Sequence, residues 1–385
     1  MAEDQHAPRI GLLAGEPSGD NLGAGLMREL KRLHPRATFV GVGGAGMLSE
    51  GLEALHAMER LSVNGFVDPI LRLPELVGLL RKLRDQMVQR QVDAFVGVDF
   101  NVFNLLLERL LKRRGIRTAH YVSPSVYAWR RGRAKRISRS ADLLLTLYPF
   151  EPAFYSAYPV RAEYVGHPLA HAITDADAGP EARARARDEL GLGEGPVVAV
   201  LPGSRRSEVA LIGPTFLAAA QRMRAERPLQ FVVPSPRPEL EAQLSALMPA
   251  ELAPHVVIHR GNARLPLQAA DAALVKSGTS TLECMCLLRP MVVSYKLGGL
   301  SYALAKRVVR TPYVALPNIL AGEALVPEYL QHDATPEVLA GALLELLDEL
   351  GAEQRLRFIE LRDALRVGEG DSVAAAAAVS ELLLR

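Results

Sequence analysis

The sequence is poor in several features that mark particular classes of protein. Its two cysteines, Cys284 and Cys286, lie two positions apart on a segment with helical character, so they point to different faces and supply too few ligands for a zinc site. No run of about 18 apolar residues is present, so we expect no helix that spans a membrane. The segment Met1–Arg9 is polar and lacks the apolar core of a signal peptide. Together these absences favour a cytoplasmic chain with reduced thiols.

Charge of one sign is not in excess either. The 45 Lys and Arg residues nearly balance the 43 Asp and Glu residues, which leaves a net charge of +2. The most basic stretch, Arg130–Arg139, holds cations and no acid, but no nucleic-acid recognition motif accompanies it. We therefore expect no nucleic acid among the partners. Such a stretch is typical of a solvated surface, and a phosphate-bearing ligand is the alternative.

The order of strand-like and helix-like segments indicates the fold. At 385 residues the chain is long for one core and suits two domains. Buried-strand patterns alternate with helical patterns from Arg9–Ala14 onward, and a second set of such units begins at Pro196–Leu201. This order predicts an α/β protein made of two doubly wound, Rossmann-like domains that face each other across a cleft, with the domains at residues 1–170 and 171–350.

A strand–turn–helix segment in the second half is the strongest candidate for a ligand site. Ala272–Val275 is apolar like a buried strand, Lys276–Ser280 is a polar turn, and Thr281–Leu288 suits a helix. The backbone N–H groups and the positive helix end at such a turn favour an anion such as a diphosphate. Glu283, in the first helical turn, is placed to accept hydrogen bonds from ribose hydroxyls. Alternatively, the turn is a good helix cap and Glu283 is an acid that matches the helix dipole.

Carboxylates also follow two predicted strands of the first half. Gly15–Asp20 comes directly after the first strand, and Asp99–Asn101 follows the strand that ends at Val98. Open α/β sheets bind ligands at the carboxyl ends of their strands, so both segments are candidates for a binding or catalytic site. A capped strand–helix turn explains Gly19 and Asp20 as well, and Asp99 also suits the N-cap of the next helix.

Two further stretches have competing interpretations. Gly41–Gly46 matches G-x-G-x-x-G, but a nicotinamide-binding fingerprint belongs to the first strand–helix unit and needs an acid at the end of the next strand. The acid at about the right distance, Asp68, precedes a proline in an amphipathic segment instead. That segment, Val63–Met87, is rich in large apolar residues at its start. A helix packed on its own sheet explains this composition, and so does a face at a membrane surface with basic flanks.

Several motifs occur together and in one order along the chain. They are Gly15–Asp20, Asp99–Asn101, Ser123–Trp129, Pro202–Arg205 paired with Ser277–Thr279 and Glu283, and Pro317–Asn318. In these motifs, and over nearly its whole length, the chain resembles the lipid-A-disaccharide synthases, a family of inverting glycosyltransferases with the GT-B fold. Tyr127 stands where many relatives have tryptophan. The resemblance implies that residues 1–170 bind the acceptor, that residues 171–350 bind the UDP donor, and that C-terminal helices in 351–385 pack back toward the first domain.

The resemblance also implies a reaction and a role for each motif. The family joins UDP-activated 2,3-diacylglucosamine to 2,3-diacylglucosamine 1-phosphate through a β-1,6 bond and releases UDP. Asp99 would be the catalytic base. The UDP-binding residues would be Gly203, Ser204, Arg205, Ser277, Gly278, Thr279, Glu283 and Asn318. The acceptor-binding residues would be Glu16, Ser18, Gly19, Asp20, Asn101, Arg130 and Arg131. The acyl chains and the membrane surface would contact Phe66, Val67, Ile70, Leu73 and Leu76.

The expected partners follow from that reaction. They are the two acylated sugars and the inner-leaflet membrane surface of a Gram-negative cell, which implies a cytoplasmic protein associated peripherally with the inner membrane. UDP leaves without needing a proton, so one carboxylate base, Arg205 and a helix N-terminus suffice, and we expect no metal or other cofactor. The oligomeric state is left undecided, with a homodimer as one option. Two other functions are alternatives: a related UDP-sugar enzyme, such as a nucleotide-sugar epimerase or a cell-wall glycosyltransferase, and a nicotinamide-dependent oxidoreductase that uses Gly41–Gly46.

Overall fold

The chain folds into two compact units. The computed structural model describes residues 7–61, 73–124, 132–298, 302 and 311–384. One unit comprises Met1–Pro168 and Leu365–Arg385, and the other comprises Leu169–Ala364. Each unit contains one sheet, and the strand pairings among the described residues are all parallel. The predicted α/β class, with two doubly wound domains, is confirmed.

A seven-stranded sheet forms the centre of the first unit. Its strands are β1 (Arg9–Ala14), β2 (Thr38–Val42), β3 (Leu52–Ala54), β4 (Ala94–Val98), β5 (Arg117–Tyr121), β6 (Leu143–Thr146) and β7 (Arg161–Tyr164). They lie in the order β3-β2-β1-β4-β5-β6-β7. The direction of winding reverses between β1 and β4, and ligands of open α/β sheets bind at such a switch point.

Helices cover this sheet with apolar faces. They are α1 (Pro17–Leu33), α2 (Ala45–Ser49), α3 (Leu73–Gln89), α4 (Asn101–Lys112) and α5 (Gly132–Ile137), with 3-10 helices at Met58–Arg60 and Pro152–Tyr155. Helix α1 buries Leu26 and Leu30 because its apolar residues recur at helical spacing. Helix α3 likewise buries Leu79, Leu83 and Met87 in the core of this unit.

The second unit repeats the arrangement with six strands. They are β8 (Val197–Leu201), β9 (Gln230–Ser235), β10 (Val256–Arg260), β11 (Ala272–Lys276), β12 (Met291–Tyr295) and β13 (Glu328–Leu330). Their order is β10-β9-β8-β11-β12-β13, so the switch point lies between β8 and β11. The two loops predicted to hold UDP, which follow Leu201 and Lys276, leave the sheet at that point.

Helices alternate with the strands of the second unit as well. They are α6 (Pro168–Ala172), α7 (Asp175–Ala178), α8 (Pro180–Leu190), α9 (Arg206–Glu226), α10 (Pro238–Leu247), α11 (Arg264–Ala269), α12 (Thr279–Cys286), α13 (Leu316–Ala321), α14 (Pro336–Glu345) and α15 (Gly351–Ala364), with a 3-10 helix at Ala253–His255 and a π-helix at Leu346–Leu350.

A buried cation, Arg289, holds some of these helices. Its guanidinium donates to the carbonyls of Leu267, Gln268 and Ala178. Burial lowers the pKa of Arg289 to about 10.

The last helix, α16 (Asp371–Leu384), returns to the first unit and packs on α1. Its small residues Ala375 and Ala376 are fully buried, and the hydroxyl of Tyr121 on β5 donates to Asp371 Oδ2 at 2.7 Å. Helix α15 does not return. Phe358 of α15 is buried in the second unit, and Gln354 Oε1 accepts the N–H of Met291 at 2.9 Å. The expectation that helices from residue 351 onward pack toward the first domain is therefore wrong for 351–364.

Candidate active site

The loop after β8 is shaped by a glycine and a glutamate. Gly203 has φ of 125°, and a Cβ on it would lie 2.6 Å from Glu208 Oε2, so no other residue fits here without displacing that carboxylate. Glu208 Oε2 accepts the N–H groups of Ser204 at 3.0 Å and of Arg205 at 3.3 Å. These two amides are therefore used within the loop. The Arg205 side chain is left exposed at the N-terminus of α9.

The loop after β11 presents backbone donors at the N-terminus of α12. Ser277 is fixed in place because its N–H donates to Ser294 O at 3.0 Å and its hydroxyl donates to Val314 O at 2.8 Å. Within the described part of the chain, no protein acceptor pairs with the N–H groups of Gly278, Thr279 and Ser280. Free amides at a positive helix end form an anion-binding site.

These two loops line one cavity of about 560 Å³. All the predicted UDP-binding residues except Asn318 border it, namely Gly203, Ser204, Arg205, Ser277, Gly278, Thr279 and Glu283. A volume of this order suits a small-molecule ligand. The structure thus brings together residues that are separated by more than 70 positions in the sequence, as the parallel switch point requires.

Among the residues of this cavity that were not predicted to bind UDP, three lie together around Lys276. Lys276 Nζ lies 3.0 Å from Glu208 Oε1 and 4.9 Å from the ring centroid of Tyr295, and all three side chains border the cavity. Burial opposes ionisation of Glu208, but the Lys276 ion pair and the Ser204 and Arg205 amides outweigh it and lower the pKa of that carboxyl. The position of Glu208 three residues after Arg205, as in a helix capping box, was the available signal.

Glu283 lies in the cavity wall as expected, in a partly apolar setting. Burial raises the pKa of its carboxyl, and the nearby Arg264 offsets part of that effect. A carboxylate in this position gains from hydrogen-bond donors that a ligand brings, because they replace the water lost on burial.

Asn318 does not belong to this cavity. Its side chain is buried, its amide N–H groups donate to Val326 O and Glu328 Oε1, and its Oδ1 accepts the N–H of Val326 at 2.8 Å. Glu328 in turn accepts the N–H groups of Val314 and Ala315. Asn318 therefore holds the chain around α13 together, and the sequence-based assignment to UDP has no geometric support.

In the first unit, Asp99 follows β4 in an unusual backbone conformation. Asp99 and Phe100 have φ of 50° and 49°, a left-handed region that costs non-glycine residues about 1–3 kcal/mol each. The fully buried Asn104 holds this bend, because its Nδ2 donates to Asp99 O at 2.8 Å and to Leu13 O at 3.1 Å. Gly15 leaves room for the Phe100 ring, which would lie 2.5 Å from a Cβ. Strain of this kind is typical of functional sites.

A row of polar side chains runs inward from Asp99. Asn101 Nδ2 donates to Asp99 Oδ1 at 3.4 Å, and Asn101 Oδ1 lies 3.0 Å from His120 Nε2. His120 Nδ1 lies 2.6 Å from Glu108 Oε1, and both of these side chains are fully buried. Burial raises the pKa of Glu108, and His120 and Lys112 offset only part of that effect.

The predicted acceptor-binding segment Gly15–Asp20 divides into two parts. Glu16 and Ser18 are exposed at the carboxyl end of β1, as expected. Gly19 is buried, and a Cβ on it would lie 3.1 Å from Val98 O, so it allows α1 to approach β4 closely. The acceptor role for Asp20 stays a prediction, and the structure shows a different contact for this residue. Its buried carboxylate accepts the N–H groups of Gly44, Gly46 and Met47 at 2.7–3.0 Å and so caps α2.

The same contacts weigh against a nicotinamide site at Gly41–Gly46. A dinucleotide fingerprint uses such backbone N–H groups for pyrophosphate. Here the Asp20 carboxylate takes the N–H groups of Gly44 and Gly46 and that of the next residue, Met47, and its negative charge repels a phosphate. The interpretation of this stretch as a weak match is therefore supported.

Some predicted residues cannot be placed. Arg130, Arg131, Phe66, Val67 and Ile70 lie outside the described residues, as does the side chain of Leu73. Leu76 is half-buried and packs against the core of the first unit.

The described residues contain no group of three or more His, Cys, Asp or Glu that could hold a metal ion. No helix in the described part of the chain is long and apolar enough to cross a membrane.

Comparison with known structures shows the fold. The glycosyltransferase of kitacinnamycin matches with a TM-score of 0.65 at 18% identity, covering 98% of this chain and 100% of that one. The UDP-GlcNAc 2-epimerase from Neisseria meningitidis, in a structure bound to UDP-GlcNAc, matches with a TM-score of 0.63 at 11% identity, covering 98% and 100%. Both confirm the GT-B expectation at the level of architecture.

Comparison of sequences shows the family. The family model described as lipid-A-disaccharide synthetase matches residues 10–378. Lipid-A-disaccharide synthase from Pseudomonas fluorescens (strain Pf0-1) is 48% identical over 368 residues, covering 95% of this chain and 96% of the relative. The enzyme of that name from Pseudomonas aeruginosa (strain UCBPP-PA14) is 45% identical over 380 residues, covering 98% of each. With this match to the family model and to these relatives over nearly its whole length, the chain belongs to the lipid-A-disaccharide synthase family of glycosyltransferases.

Proposed function

We propose that the chain transfers 2,3-diacylglucosamine from its UDP derivative to 2,3-diacylglucosamine 1-phosphate, forming the β-1,6-linked disaccharide 1-phosphate and UDP. The observation that carries the proposal is the match to lipid-A-disaccharide synthases over nearly the whole chain. The cavity between Gly203–Arg205 and Ser277–Glu283 supports it, because it combines an exposed guanidinium, free helix amides and a carboxylate. A UDP-sugar donor and a lipid-linked acceptor follow from the family.

In this reaction Asp99 takes the proton of the acceptor hydroxyl. The hydroxyl oxygen attacks the anomeric carbon of the donor, the bond from that carbon to the diphosphate oxygen breaks with inversion, and UDP leaves with the electron pair. General-base catalysis of this kind contributes about 10²–10⁴-fold in rate. The charge that develops on the diphosphate is stabilised by Arg205 and the amides of Gly278 and Thr279.

The donor site is tested by UDP binding. We expect Arg205→Ala and Glu283→Ala each to weaken UDP binding by about 1.5–3 kcal/mol, because each removes a charged hydrogen-bonding group. Arg206→Ala is the matched control, since Arg206 is the next residue, carries the same charge, is exposed and does not border the cavity. Calorimetry that shows unchanged UDP affinity in both site variants would remove the donor assignment.

The base is tested by turnover. Asp99→Ala should lower the rate of disaccharide formation by about 10²–10⁴-fold while UDP affinity stays unchanged. The assay combines the purified protein with UDP-diacylglucosamine and diacylglucosamine 1-phosphate and measures disaccharide and UDP. Near-normal turnover of the variant would contradict the assignment of Asp99 as the base and leave it only a structural role before the helix α4.

We also propose that the protein meets its acylated substrates at the inner-membrane surface. The support is the sequence of Phe66–Leu76, where large apolar residues precede Arg81, Lys82 and Arg84, a pattern suited to anionic headgroups. Changing Val67, Ile70 and Leu73 together to Ser should release the protein from anionic vesicles and leave its melting transition cooperative. A triple variant without a cooperative transition would show instead that these side chains are part of a core.

A further inference from the structure

The row of side chains behind Asp99 connects an interior pair to the proposed base. Glu108 lies on α4, His120 on β5, and Asn101 at the first position of α4, next to the strained bend at Asp99 and Phe100. The links are Glu108 Oε1 to His120 Nδ1 at 2.6 Å, His120 Nε2 to Asn101 Oδ1 at 3.0 Å, and Asn101 Nδ2 to Asp99 Oδ1 at 3.4 Å. Only Asp99 and Asn101 are partly exposed.

The arrangement of donors and acceptors in this row indicates which atoms carry the protons. Asn101 uses its N–H group toward the Asp99 carboxylate, so its oxygen faces His120 and accepts a hydrogen bond from Nε2–H. With Nε2 protonated, one further proton lies between His120 Nδ1 and Glu108 Oε1. Whichever of those two atoms holds it, the pair is neutral overall. Glu108 therefore keeps the imidazole in the form that donates to Asn101.

The fold does not require this pair. Buried ion pairs stabilise proteins weakly compared with apolar residues of similar size. Glu108 Oε2 is buried and has no hydrogen-bond partner among the described residues. A Cβ at Gly97 would lie 2.2 Å from Glu108 Oε1, so a glycine in β4 makes room for the carboxyl. Two buried ionisable side chains and a glycine inside a strand all weaken a core that is made mainly of apolar residues.

We propose that His120 and Glu108 form a positioning pair for the base Asp99, acting through the side-chain amide of Asn101. His120 fixes which way the amide faces, and the amide N–H then orients one oxygen of Asp99. The pair touches no substrate. The proposal rests on the assignment of Asp99 as the base. It adds an explanation of how the Asp99 carboxylate at the strained bend is kept in the orientation that the reaction needs.

Two conservative changes at one position separate this role from a structural one. The amide nitrogen of Gln reaches the position of His Nε2, so His120→Gln keeps the donor to Asn101 and loses the contact with Glu108. The amide of Asn reaches only the position of Nδ1, so His120→Asn keeps the contact with Glu108 and loses the donor to Asn101. We expect His120→Gln to retain kcat within about 3-fold and His120→Asn to lose about 10-fold or more, since small misplacements of reacting groups cost up to about 100-fold.

The pH profile and stability give independent readouts. A carboxylate that loses a donated hydrogen bond binds a proton more readily, so the acidic limb of kcat/KM should move to higher pH in His120→Asn and stay in place in His120→Gln. Stability should follow the opposite order, because His120→Gln leaves Glu108 without its partner. Thr118→Val is the control, since Thr118 is a fully buried polar residue on the same strand and bonds Ser140 O and Asp142 instead. It should lower the melting temperature without moving the pH profile.

Asn101→Ala completes the test. We expect it to reproduce the kcat loss and the shifted acidic limb of His120→Asn, and His120→Asn should add no further loss in the Asn101→Ala background, because both act through one amide. Additive losses, or activities of the two His120 variants that follow their stabilities, would overturn the proposal. If the His120 variants do not melt cooperatively, Asn101→Ala decides alone: a lower kcat with an unchanged KM for the acceptor supports the proposal, and an unchanged kcat or a raised acceptor KM rejects it. Failure of the wild-type chain to make disaccharide would refute the proposed function rather than this inference.

Discussion

Asp20→Ala should destabilise the first unit without weakening substrate binding. The Asp20 carboxylate accepts the N–H groups of Gly44, Gly46 and Met47, and its side chain is only 6% exposed. A buried N–H that loses its acceptor costs about 1–3 kcal/mol. Water can reach the half-buried Gly46, whereas the amides of Gly44 and Met47 are buried. We therefore expect a loss of about 3–5 kcal/mol in the free energy of unfolding of this unit.

Urea unfolding followed by circular dichroism measures this loss. Asp20→Asn should lose about half as much, because one amide oxygen can still accept while the NH₂ group faces a donor. Glu16→Ala is the control, since Glu16 is exposed and its side chain caps no helix amide, and it should change stability by less than about 0.5 kcal/mol. At a temperature where Asp20→Ala is folded, KM for the acceptor should match the wild type. A stable Asp20→Ala with a raised acceptor KM would refute the reasoning and restore Asp20 to the acceptor site.

Three further changes test other parts of the structure. Glu208→Gln should weaken UDP binding about 3- to 10-fold in calorimetry, because Lys276 loses its ionic partner and the loop amides lose a charged acceptor. Burial raises the pKa of Glu151 from 4.5 to about 8, so its contribution to stability is greatest below pH 4.5 and is lost as pH rises to 8. Urea unfolding should show a slope of about 1.4 kcal/mol per pH unit in that window, which Glu151→Gln abolishes. Tyr121→Phe should speed hydrogen exchange in α16, because it removes the bond to Asp371.

The two loops that line the cavity of the second unit could be predicted from the sequence because each is a local pattern. An apolar strand followed by Pro202–Arg205 or Ser277–Thr279 and a helix specifies a strand–turn–helix unit by short-range rules. The parallel order of the sheet then brings both loops to one edge, and the cavity found there holds all the predicted UDP residues except Asn318. Strand–helix units therefore predicted which residues meet, although those residues are far apart in the chain.

Side chains that bond to distant backbone could not be predicted in this way. Asp20 and Asn318 carry the same polar groups as ligand-binding residues, and both lie next to sheet-edge motifs. Whether such a group faces a ligand or a neighbouring loop depends on which backbone N–H groups reach it. In both cases the loop amides of the protein itself take the oxygen atoms. A similar uncertainty led to the wrong return point at residue 351, because α15 is held to the second unit by contacts that form only in the folded chain, such as those of Gln354 with Met291 and of Arg362 with Cys286 O.

The sequence by itself determined the α/β class, the two sets of strand–helix units, the motifs of the family and Asp99 as the candidate base, because hydrophobic period, turn residues and motif order are local properties. The tertiary structure alone decided which polar groups are already satisfied and which remain to act. It placed Glu208 and Lys276 in the cavity of the second unit, bonded Asp20 and Asn318 to the backbone of the protein itself, and put His120 and Glu108 behind Asp99. The physical reason is that hydrogen bonds are short-ranged and directional, so the partner of a buried polar group is set by atoms that meet only when the chain has folded.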